Sequence, residues 1–292
     1  MNILITGASG FLGSALAIRF AGMQHEVSLL VRGNSNLKRL GNTSIFKIGR
    51  CDTDSEIDKF ISDSNPDVII HAASCYGRDG ESYLKILDSN VRFGTVILNS
   101  IKSLKKKITF VNSGTVLEKD VSFYSLTKIQ FEELGLFIAK KSTPTIQFIN
   151  IKLQQMFGPG DDESKFPTYV IRACKNNIPN LPLTSGEQKR DFIYIDDVVD
   201  AYVKILDNLS KFNISQQIEL GSGVAPSIRD FVDSVHRLTN SNTKLLFGKI
   251  PYRENDEMIM VADIEMLRQL GWAPKIDLEA GIKKIIEMEA VK

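Results

Sequence analysis

The sequence predicts an α/β protein built on a doubly wound parallel sheet, followed by a smaller C-terminal α/β domain. Short apolar runs alternate with longer amphipathic segments through the first half of the chain, which is the pattern of βαβ units. A glycine-rich turn follows the first apolar run directly, and turn residues become frequent beyond Phe157. These observations predict a sheet whose ligands bind at the carboxyl ends of the strands.

Six short runs of apolar residues predict the strands. They are Asn2–Thr6, Glu26–Val31, Ser44–Ile48, Asp67–Ala72, Ile108–Asn112 and Thr145–Ile151. The segments between them have the spacing of amphipathic helices at Gly10–Gly22, Asp54–Ser62, Tyr83–Leu104 and Tyr124–Lys140. Continuous apolar runs of this length are typical of strands buried on both faces, which favours parallel pairing.

The composition of the chain changes after Phe157, where a Gly-Pro-Gly turn and an acidic loop begin. We therefore predict a first domain over 1–157 and a second, smaller domain over 158–189 and 223–292. The segment 190–222 contains a short strand and an apolar helix, and we expect it to return to the first domain.

The charges of the 292 residues nearly cancel, with 36 Lys and Arg against 35 Asp and Glu. This balance excludes a broad positive field for nucleic acid or an anionic membrane. The three cysteines are widely spaced, which favours reduced thiols over disulfides and gives no metal-ligand pair. The sequence contains neither an export signal nor a membrane-spanning run, so we expect a cytoplasmic protein. Because the cysteines give no metal-ligand pair, we also expect no bound metal.

The strongest local motif is the glycine-rich turn between the first strand and the first helix. Its glycines permit a tight turn and a close approach of backbone N–H groups to a pyrophosphate, and the helix N-terminus attracts the anion. The motif therefore predicts a Rossmann-type dinucleotide site. Its contacts are expected from Gly7, Ser9, Gly10, Phe11, Leu12 and Gly13.

The i, i+4 spacing of Tyr124 and Lys128 puts a phenol and an ammonium group on one helix face. Such a pair suits carbonyl reduction, because the alkoxide needs a proton donor and a neighbouring cation lowers the pKa of a phenol. Together with the G-x-x-G-x-x-G spacing of the turn, this pair resembles the extended, nucleotide-sugar branch of the short-chain dehydrogenase/reductase superfamily. The resemblance covers nearly the whole chain.

The resemblance implies a role for each residue of the catalytic set. Tyr124 would be the acid, and Lys128 would hold the nicotinamide ribose and supply positive charge to the phenol. Ser113, in the stretch Asn112–Val116, would orient the substrate oxygen. Thr115 is the second candidate for that role. The alternative for Ser113 is a hydroxyl that only caps the strand end.

Arg32, at the end of the second predicted strand, indicates the cofactor. In this fold an acidic residue there binds the 2′-hydroxyl of NAD, whereas an arginine accommodates the 2′-phosphate of NADP. No carboxylate follows until Asp52, so we predict NADP(H) with Arg32 on the 2′-phosphate, and a solvated surface arginine is the alternative. The resemblance further implies that Asp52 contacts the adenine amino group and that His71, Ala72 and Ala73 line the adenosine side. The alternative for His71 is a strand-end histidine whose backbone matters and whose ring does not.

Two arginines of the second half, Arg190 and Arg253, stand where the family clamps the diphosphate of a nucleotide sugar. Two guanidinium groups suit this task, because each donates bidentate, charge-assisted hydrogen bonds. A structural ion pair with Asp191 or Asp197 is the alternative for Arg190.

Three stretches resemble the CDP-paratose and CDP-abequose synthases within the branch. They are His71–Arg78, Thr184–Phe192, and Arg253–Met258 with the later Gly271-Trp272. The first stretch puts Tyr76 and Arg78 just past a strand end, where they would face the sugar. A solvated loop is the alternative for both residues.

We therefore expect NADPH-dependent reduction of the C4 ketone of a nucleotide-linked 4-keto-(di)deoxyhexose. CDP-4-keto-3,6-dideoxyglucose would give CDP-paratose or its C4 epimer, for the O-antigen sugars of a surface lipopolysaccharide. The family's 4,6-dehydratases carry an Asp-Glu pair where this chain has Gly114 and Thr115, so we expect no dehydration. The alternatives are a nucleotide-sugar 4-epimerase with tightly bound NAD and a non-catalytic dinucleotide-sensing protein. The resemblance also implies a homodimer formed through the two long helices, and a monomer is the alternative.

Overall fold

A computed structural model of the protein describes residues 1–142, 145–253 and 256–290. Two units can be distinguished, one formed by 1–152 and 202–218 and the other by 153–201 and 219–292. Glu254 and Asn255, which are part of one stretch that carries the resemblance, lie outside the described residues.

The first unit is built on a seven-stranded sheet, and every strand pair of this sheet with a described register is parallel. Its strands are β1 (Asn2–Thr6), β2 (Glu26–Val31), β3 (Lys47–Arg50), β4 (Val68–His71), β5 (Ile108–Ser113), β6 (Ile146–Leu153) and β11 (Ser215–Leu220). Their order is β11-β6-β5-β4-β1-β2-β3, which confirms the predicted fold class. At the centre, Ile5 of β1 lies opposite Leu29 of β2 and Ile70 of β4.

Helices flank this sheet. They are α1 (Phe11–Gly22), α2 (Asp54–Ser64), α3 (Tyr83–Leu87), α4 (Phe93–Ile101) and α5 (Phe123–Lys141), together with the C-terminal end of α7 (Ile195–Leu206). A π-helical turn, Asp88–Arg92, joins α3 to α4 within the long helix that the sequence predicts. Among the described residues, none of the helices has the length and hydropathy that a membrane crossing needs.

The third strand begins later than its apolar run suggests, at Lys47 rather than Ser44. The Asn42 side chain accepts hydrogen bonds from the backbone N–H of Ser44 at 3.0 Å and from its hydroxyl at 2.8 Å. The N–H of Phe46 donates to the carbonyl of Thr43 at 3.2 Å. These local bonds form a turn, which competes with the sheet for the same backbone groups.

The second unit contains three pairs of short parallel strands. They are β7 (Gln155–Phe157) with β10 (Phe192–Tyr194), β8 (Asn180–Pro182) with β12 (Lys244–Leu246), and β9 (Lys189–Arg190) with β13 (Ile259–Met260). Its helices are α6 (Phe166–Lys175), α8 (Ile228–Leu238), α9 (Glu265–Gln269) and α10 (Leu278–Ala290). The rings of Phe192 and Phe231 stack at 4.5 Å in the core of this unit. The division of binding tasks between the two units stays a prediction.

Candidate active site

The strand order reverses between β1 and β4, with β2 and β3 on one side and β5 and β6 on the other. In open sheets of this kind, ligands bind outside the carboxyl ends of the strands at this reversal. The predicted residues of the first unit follow the carboxyl ends of β1 to β5 or lie at the start of α5. The topology therefore gathers segments that are far apart in sequence at one edge of the sheet.

The turn after β1 requires its glycines. Gly7 has a φ of +69°, and a Cβ there would lie 2.6 Å from the backbone of Ala72 and Ala73. Gly13 is packed so closely that a Cβ would overlap the carbonyl of Gly7. Gly10 is the N-cap of α1 and brings no side chain to it, and the first turn holds no acidic residue. The first N–H groups of α1 therefore form a site that suits an anion such as a pyrophosphate.

The other predicted members of this turn differ in exposure. Ser9 and Phe11 are half-buried, whereas Leu12 is buried at 6% exposure. Leu12 therefore packs into the protein.

Arg32 is exposed just beyond β2. Its guanidinium group makes no hydrogen bond or ion pair with any residue that the structure describes. The Asp52 carboxylate accepts a hydrogen bond from the N–H of Gly33 at 2.9 Å. Arg50 donates to the carbonyls of Gly33 and Ser35 at 2.6 Å and 3.2 Å. Asp52 and Arg50 thus fix the loop that carries Arg32, and a carboxylate does lie beside the end of β2.

His71 is fully buried, and its ring does not line an adenosine site. The ring lies between Phe93, Phe110 and Phe131, with centroid distances of 5.7, 5.6 and 5.2 Å. Its Nδ1 is 2.9 Å from the hydroxyl of Thr6, whereas no described residue offers a hydrogen bond to its Nε2. Burial, with a smaller effect of the Lys128 charge, lowers the pKa of His71 to about 3. The ring is therefore a neutral core group.

Ala72 and Ala73 are half-buried and approach the glycine turn. The N–H of Ala73 donates to the hydroxyl of Thr6 at 3.3 Å, which ties the end of β4 to the end of β1. In this segment, the backbone rather than a side chain lies next to the predicted pyrophosphate turn.

A side-chain cap determines where α5 begins. Ser122 and Ser125 form a capping box, each side chain bonding the backbone N–H of the other at 3.1 Å and 3.0 Å. Tyr124 therefore lies in the first turn of the helix, and Lys128 lies one turn further on. Asn90, on the π-helical turn, bonds both the backbone of Cys75 and the hydroxyl of Thr127, so it joins α5 to the loop after β4.

Tyr124 is surrounded by the loop that follows β4. Burial raises the pKa of Tyr124 well above its usual value, and the neighbouring Tyr76 raises it further. A hydrogen bond with Ser74 and the charge of Arg78 lower this pKa. The sequence predicts that Lys128 lowers it, but in the structure the cation beside the phenol is Arg78. Tyr124 is thus held in its protonated form, as an acid must be.

Lys128 is buried at 2% exposure, and its ammonium group has no hydrogen-bond partner among the residues that the structure describes. Burial lowers the pKa of Lys128 to about 8, and the charge of Glu132 opposes this effect. Glu132 itself is 5% exposed and accepts a hydrogen bond from Gln217. An unpaired buried ammonium is costly, which is typical of a group that binds a ligand.

The end of β5 carries the predicted hydroxyls. Ser113 is buried, and its Oγ lies 2.7 Å from the hydroxyl of Tyr202. Thr115 uses its hydroxyl to accept the N–H of Leu117 at 3.2 Å. A Cβ at Gly114 would lie 2.7 Å from the Asn150 side chain, so any side chain there would require the Asn150 amide to shift.

In the second unit, Arg190 is buried and already paired. It donates to Asp256 at 2.6 Å and to the carbonyl of Lys189 at 2.8 Å. Neither predicted partner binds it: Asp191 accepts bonds from the backbone of Ser222, Gly223 and Ala262. Asp197 instead accepts the N–H groups of Lys275 and Ile276. Both aspartates therefore hold loops.

Arg253 is exposed, and its side chain bonds to nothing in the described ranges. Of the two arginines predicted to clamp a diphosphate, it is the one whose guanidinium group remains available to a ligand.

Three residues that contact or influence the predicted catalytic set were not expected from the sequence: Tyr202, Glu132 and Ser74. Glu132 continues the i, i+4 series of Tyr124 and Lys128, and that spacing is a signal by which it could have been found. Tyr202 gives no such signal, because it lies in an apolar helix 89 residues after its partner.

Residues 3–221 match the NAD dependent epimerase/dehydratase family. The chain is 31% identical to the CDP-abequose synthase of Salmonella muenchen, over 99% of this chain and 98% of that one. It is 30% identical to the CDP-abequose synthase of Salmonella typhimurium, over 98% of this chain and 97% of that one. The crystal structure of a UDP-glucuronic acid 4-epimerase from Bacillus cereus, in complex with UDP-glucuronic acid and NAD, has a similar fold. Its TM-score is 0.84 at 23% identity, with all of both chains covered.

Proposed function

Because the chain belongs to the NAD dependent epimerase/dehydratase family, we propose that it reduces the C4 ketone of a nucleotide-linked 4-keto-deoxyhexose with NADPH. The preferred substrate is CDP-4-keto-3,6-dideoxyglucose, and the product is CDP-paratose or its C4 epimer. The observation that carries this proposal is the full-length similarity, at 30% and 31% identity, to two CDP-abequose synthases. The product would serve the synthesis of a surface polysaccharide.

The choice of NADPH rests on Arg32. This residue is exposed at the end of β2, and its guanidinium group is unpaired among the described residues. An arginine that binds a 2′-phosphate needs such an available guanidinium group. The glycine turn and the uncapped start of α1 suit the pyrophosphate. When bound, NADPH supplies the hydride that reaches C4.

Three side chains of this chain would carry the remaining chemistry. Tyr124, kept protonated by its surroundings, gives its proton to the C4 oxygen as the carbonyl becomes an alcohol. Lys128 donates hydrogen bonds to the ribose and places a positive charge near the developing alkoxide. Ser113 donates a hydrogen bond to the same oxygen and so orients the ketone.

Dehydration is disfavoured by the surroundings of Gly114. The Asn150 side chain occupies the space that any Cβ would need, and Thr115 is engaged in the turn that follows. The chain therefore offers no carboxylate directly after Ser113 to remove a proton from the sugar.

We assign the dinucleotide to the first unit and the diphosphate of the nucleotide sugar to the second. Arg253 is the preferred ligand of that diphosphate, whereas Arg190 would first have to exchange its bond to Asp256. Tyr76 and Arg78 are proposed to face the sugar, since Tyr76 stacks on the ring of Tyr124 and Arg78 packs on the ring of Tyr76.

The test is a spectrophotometric assay of the purified protein with NADPH and CDP-4-keto-3,6-dideoxyglucose. We expect a substrate-dependent loss of the reduced nicotinamide absorbance. Tyr124→Phe should lower turnover by about 10³-fold while leaving NADPH affinity intact, because it removes only the proton donor. Absence of turnover with CDP-, UDP-, dTDP- and GDP-linked 4-keto sugars alike would refute the reductase.

Two other outcomes identify the alternatives. Tightly retained NAD, with interconversion of unreduced UDP-sugars, would indicate a 4-epimerase. Cofactor binding without any turnover would indicate a dinucleotide-sensing protein. An assay for interconversion of UDP-sugars separates the two.

We further propose a homodimer formed through two long helical segments, the one that runs from α3 through the π-helical turn to α4, and α5. The exposed apolar side chains on these helices are Tyr83, Leu84, Leu87, Leu134 and Phe137. Combining Leu84→Glu with Phe137→Glu should convert a dimer into a monomer in light scattering. Ile18→Glu, at another exposed apolar position, on α1, should not. The cytoplasm is the proposed location, where free thiols such as the three cysteines of this chain persist.

A further inference from the structure

Tyr202 is the largest fully buried side chain among the described residues, with 0% exposure. Tyr202 lies in the part of α7 that belongs to the first unit. Ser113, at the end of β5, belongs to the same unit. The two hydroxyl oxygens are 2.7 Å apart. No other hydrogen bond of the Tyr202 side chain exists within the described residues.

The direction of this bond follows from burial. A buried O–H group must find an acceptor, and Ser113 Oγ is the acceptor within reach of the Tyr202 phenol. If Ser113 donated instead, the proton of Tyr202 would be left unpaired in the interior. A phenol is also a stronger acid than an alcohol and hence the better donor. Burial raises the pKa of Tyr202, so the phenol keeps the proton that it donates.

Because Ser113 accepts from Tyr202, its own proton must point elsewhere. Ser113 has no second hydrogen-bond partner among the described residues, and it lies at the carboxyl end of β5. Its O–H is therefore available to a ligand oxygen at the edge where the site is gathered. A chain of two hydroxyls also polarises the terminal one, which strengthens it as a donor.

We propose that Tyr202 is a positioning residue that makes Ser113 an obligatory hydrogen-bond donor toward the C4 oxygen of the substrate. This inference rests on the proposed reductase function. The bond from Ser113 strengthens as negative charge develops on the oxygen, so its benefit falls on the transition state more than on the bound ketone. Without the Tyr202 hydroxyl, the O–H bond of Ser113 is free to rotate. It then points at the C4 oxygen of the substrate for only part of the time.

A double-mutant cycle tests this role. We expect Tyr202→Phe to lower kcat about tenfold with KM nearly unchanged, and Ser113→Ala to lower it further. In the Ser113→Ala background, Tyr202→Phe should have no additional effect, because it acts through Ser113 alone. Equal losses in both backgrounds would overturn the proposal and leave Tyr202 a packing residue. Tyr194→Phe, at another buried tyrosine, should leave kcat unchanged in both backgrounds.

Neutron diffraction from deuterium-exchanged crystals tests the direction of the bond without any substrate. We expect the deuterium of Tyr202 to point at Ser113 Oγ. A deuterium on Ser113 that points at Tyr202 would refute the inference, even if the reductase activity is found. If the assay finds no reductase but the deuterium lies on Tyr202, the donor assignment stands and the proposed function fails.

Discussion

The ring of Tyr76 stacks on the ring of Tyr124, with centroids 4.7 Å apart and an interplanar angle of 28°. The guanidinium carbon of Arg78 lies 4.9 Å from the centroid of Tyr76. The proposed acid is thus covered by an aromatic side chain that itself contacts a cation, all on the loop after β4. Residues of this loop therefore cover Tyr124 and influence its pKa, which burial raises most.

Replacing Tyr76 should change the acidity of Tyr124. Because the Tyr76 hydroxyl raises the pKa of Tyr124, Tyr76→Phe should lower this pKa while retaining the stacked ring. NMR titration of protein labelled at the tyrosine Cζ carbons measures the change. Tyr83→Phe is the matched control, because Tyr83 packs on the neighbouring Phe123 and is 70% exposed. An unchanged or higher pKa in Tyr76→Phe would show that the hydroxyl does not act on the acid.

Arg32 should discriminate between the two dinucleotides. Arg32→Ser should raise the Kd of NADPH about 10- to 100-fold and leave the Kd of NADH nearly unchanged, because only NADPH carries the 2′-phosphate. Fluorescence titration of both cofactors measures this, with Arg268→Ser as a control at an exposed arginine of the second unit.

Asp52 allows a test of the opposite cofactor preference, NAD over NADP, at the same site. Its carboxylate lies beside the end of β2, where an acid would favour NAD. If Arg32→Ser weakens both cofactors equally while Asp52→Asn weakens NADH alone, the NADP assignment is wrong.

Cofactor binding should weaken in alkaline solution because of Lys128. Its pKa is lowered to about 8, so the ammonium is present below that pH and is lost above it. The Kd of NADPH should therefore rise above pH ~8, by at most about tenfold per pH unit. Lys128→Arg should abolish this dependence, because a guanidinium group stays charged. An equally steep rise in Lys128→Arg would assign the titration to another group.

Glu132→Gln is the companion variant. The charge of Glu132 raises the pKa of Lys128 against the larger effect of burial. Its removal should move the alkaline loss of affinity to lower pH, whereas an unchanged midpoint would show that Glu132 does not act on Lys128.

His71 should make the protein less stable in mild acid. Its pKa is about 3 in the folded state against 6.5 for the free side chain, so between these values only the unfolded chain takes up the proton. Stability therefore falls as the pH drops below 6.5, by about 1.4 kcal/mol per pH unit. Between pH 7.5 and pH 5, this single group accounts for about 2 kcal/mol.

Urea denaturation of wild type and His71→Gln measures this contribution. The variant loses the bond to Thr6 and should be less stable at pH 7.5. At pH 5 the difference should shrink by about 2 kcal/mol, because the variant has no group to titrate there. A difference that stays constant between the two pH values would contradict the neutral, buried imidazole.

The sequence alone was sufficient for β1, the glycine turn and α1. Gly7 needs a positive φ and Gly13 needs a close packing distance, and both requirements are local. Tyr124 and Lys128 were likewise predictable, since the helical period alone places them on one face. The third strand was misplaced because the turn around Asn42 uses side-chain bonds that hydrophobic periodicity does not register.

The sequence did not predict which side chains the predicted site residues would contact. Arg190 pairs with Asp256, 66 residues further along, instead of the aspartate beside it. His71 was placed on the adenosine side by resemblance, yet its ring turns into a cluster of three phenylalanines. The pairing of Arg190 and the orientation of the His71 ring both depend on which helices and strands pack together.

The sequence by itself thus determined the kind of sheet, the turn that suits a pyrophosphate and the spacing of the proposed acid and its lysine. Only the tertiary structure decided that Tyr76 covers Tyr124 and that Tyr202 bonds Ser113. The physical reason is range: backbone conformation and helical period act over a few residues. A hydrogen bond between side chains 89 residues apart exists only after strand order and helix packing have brought them together.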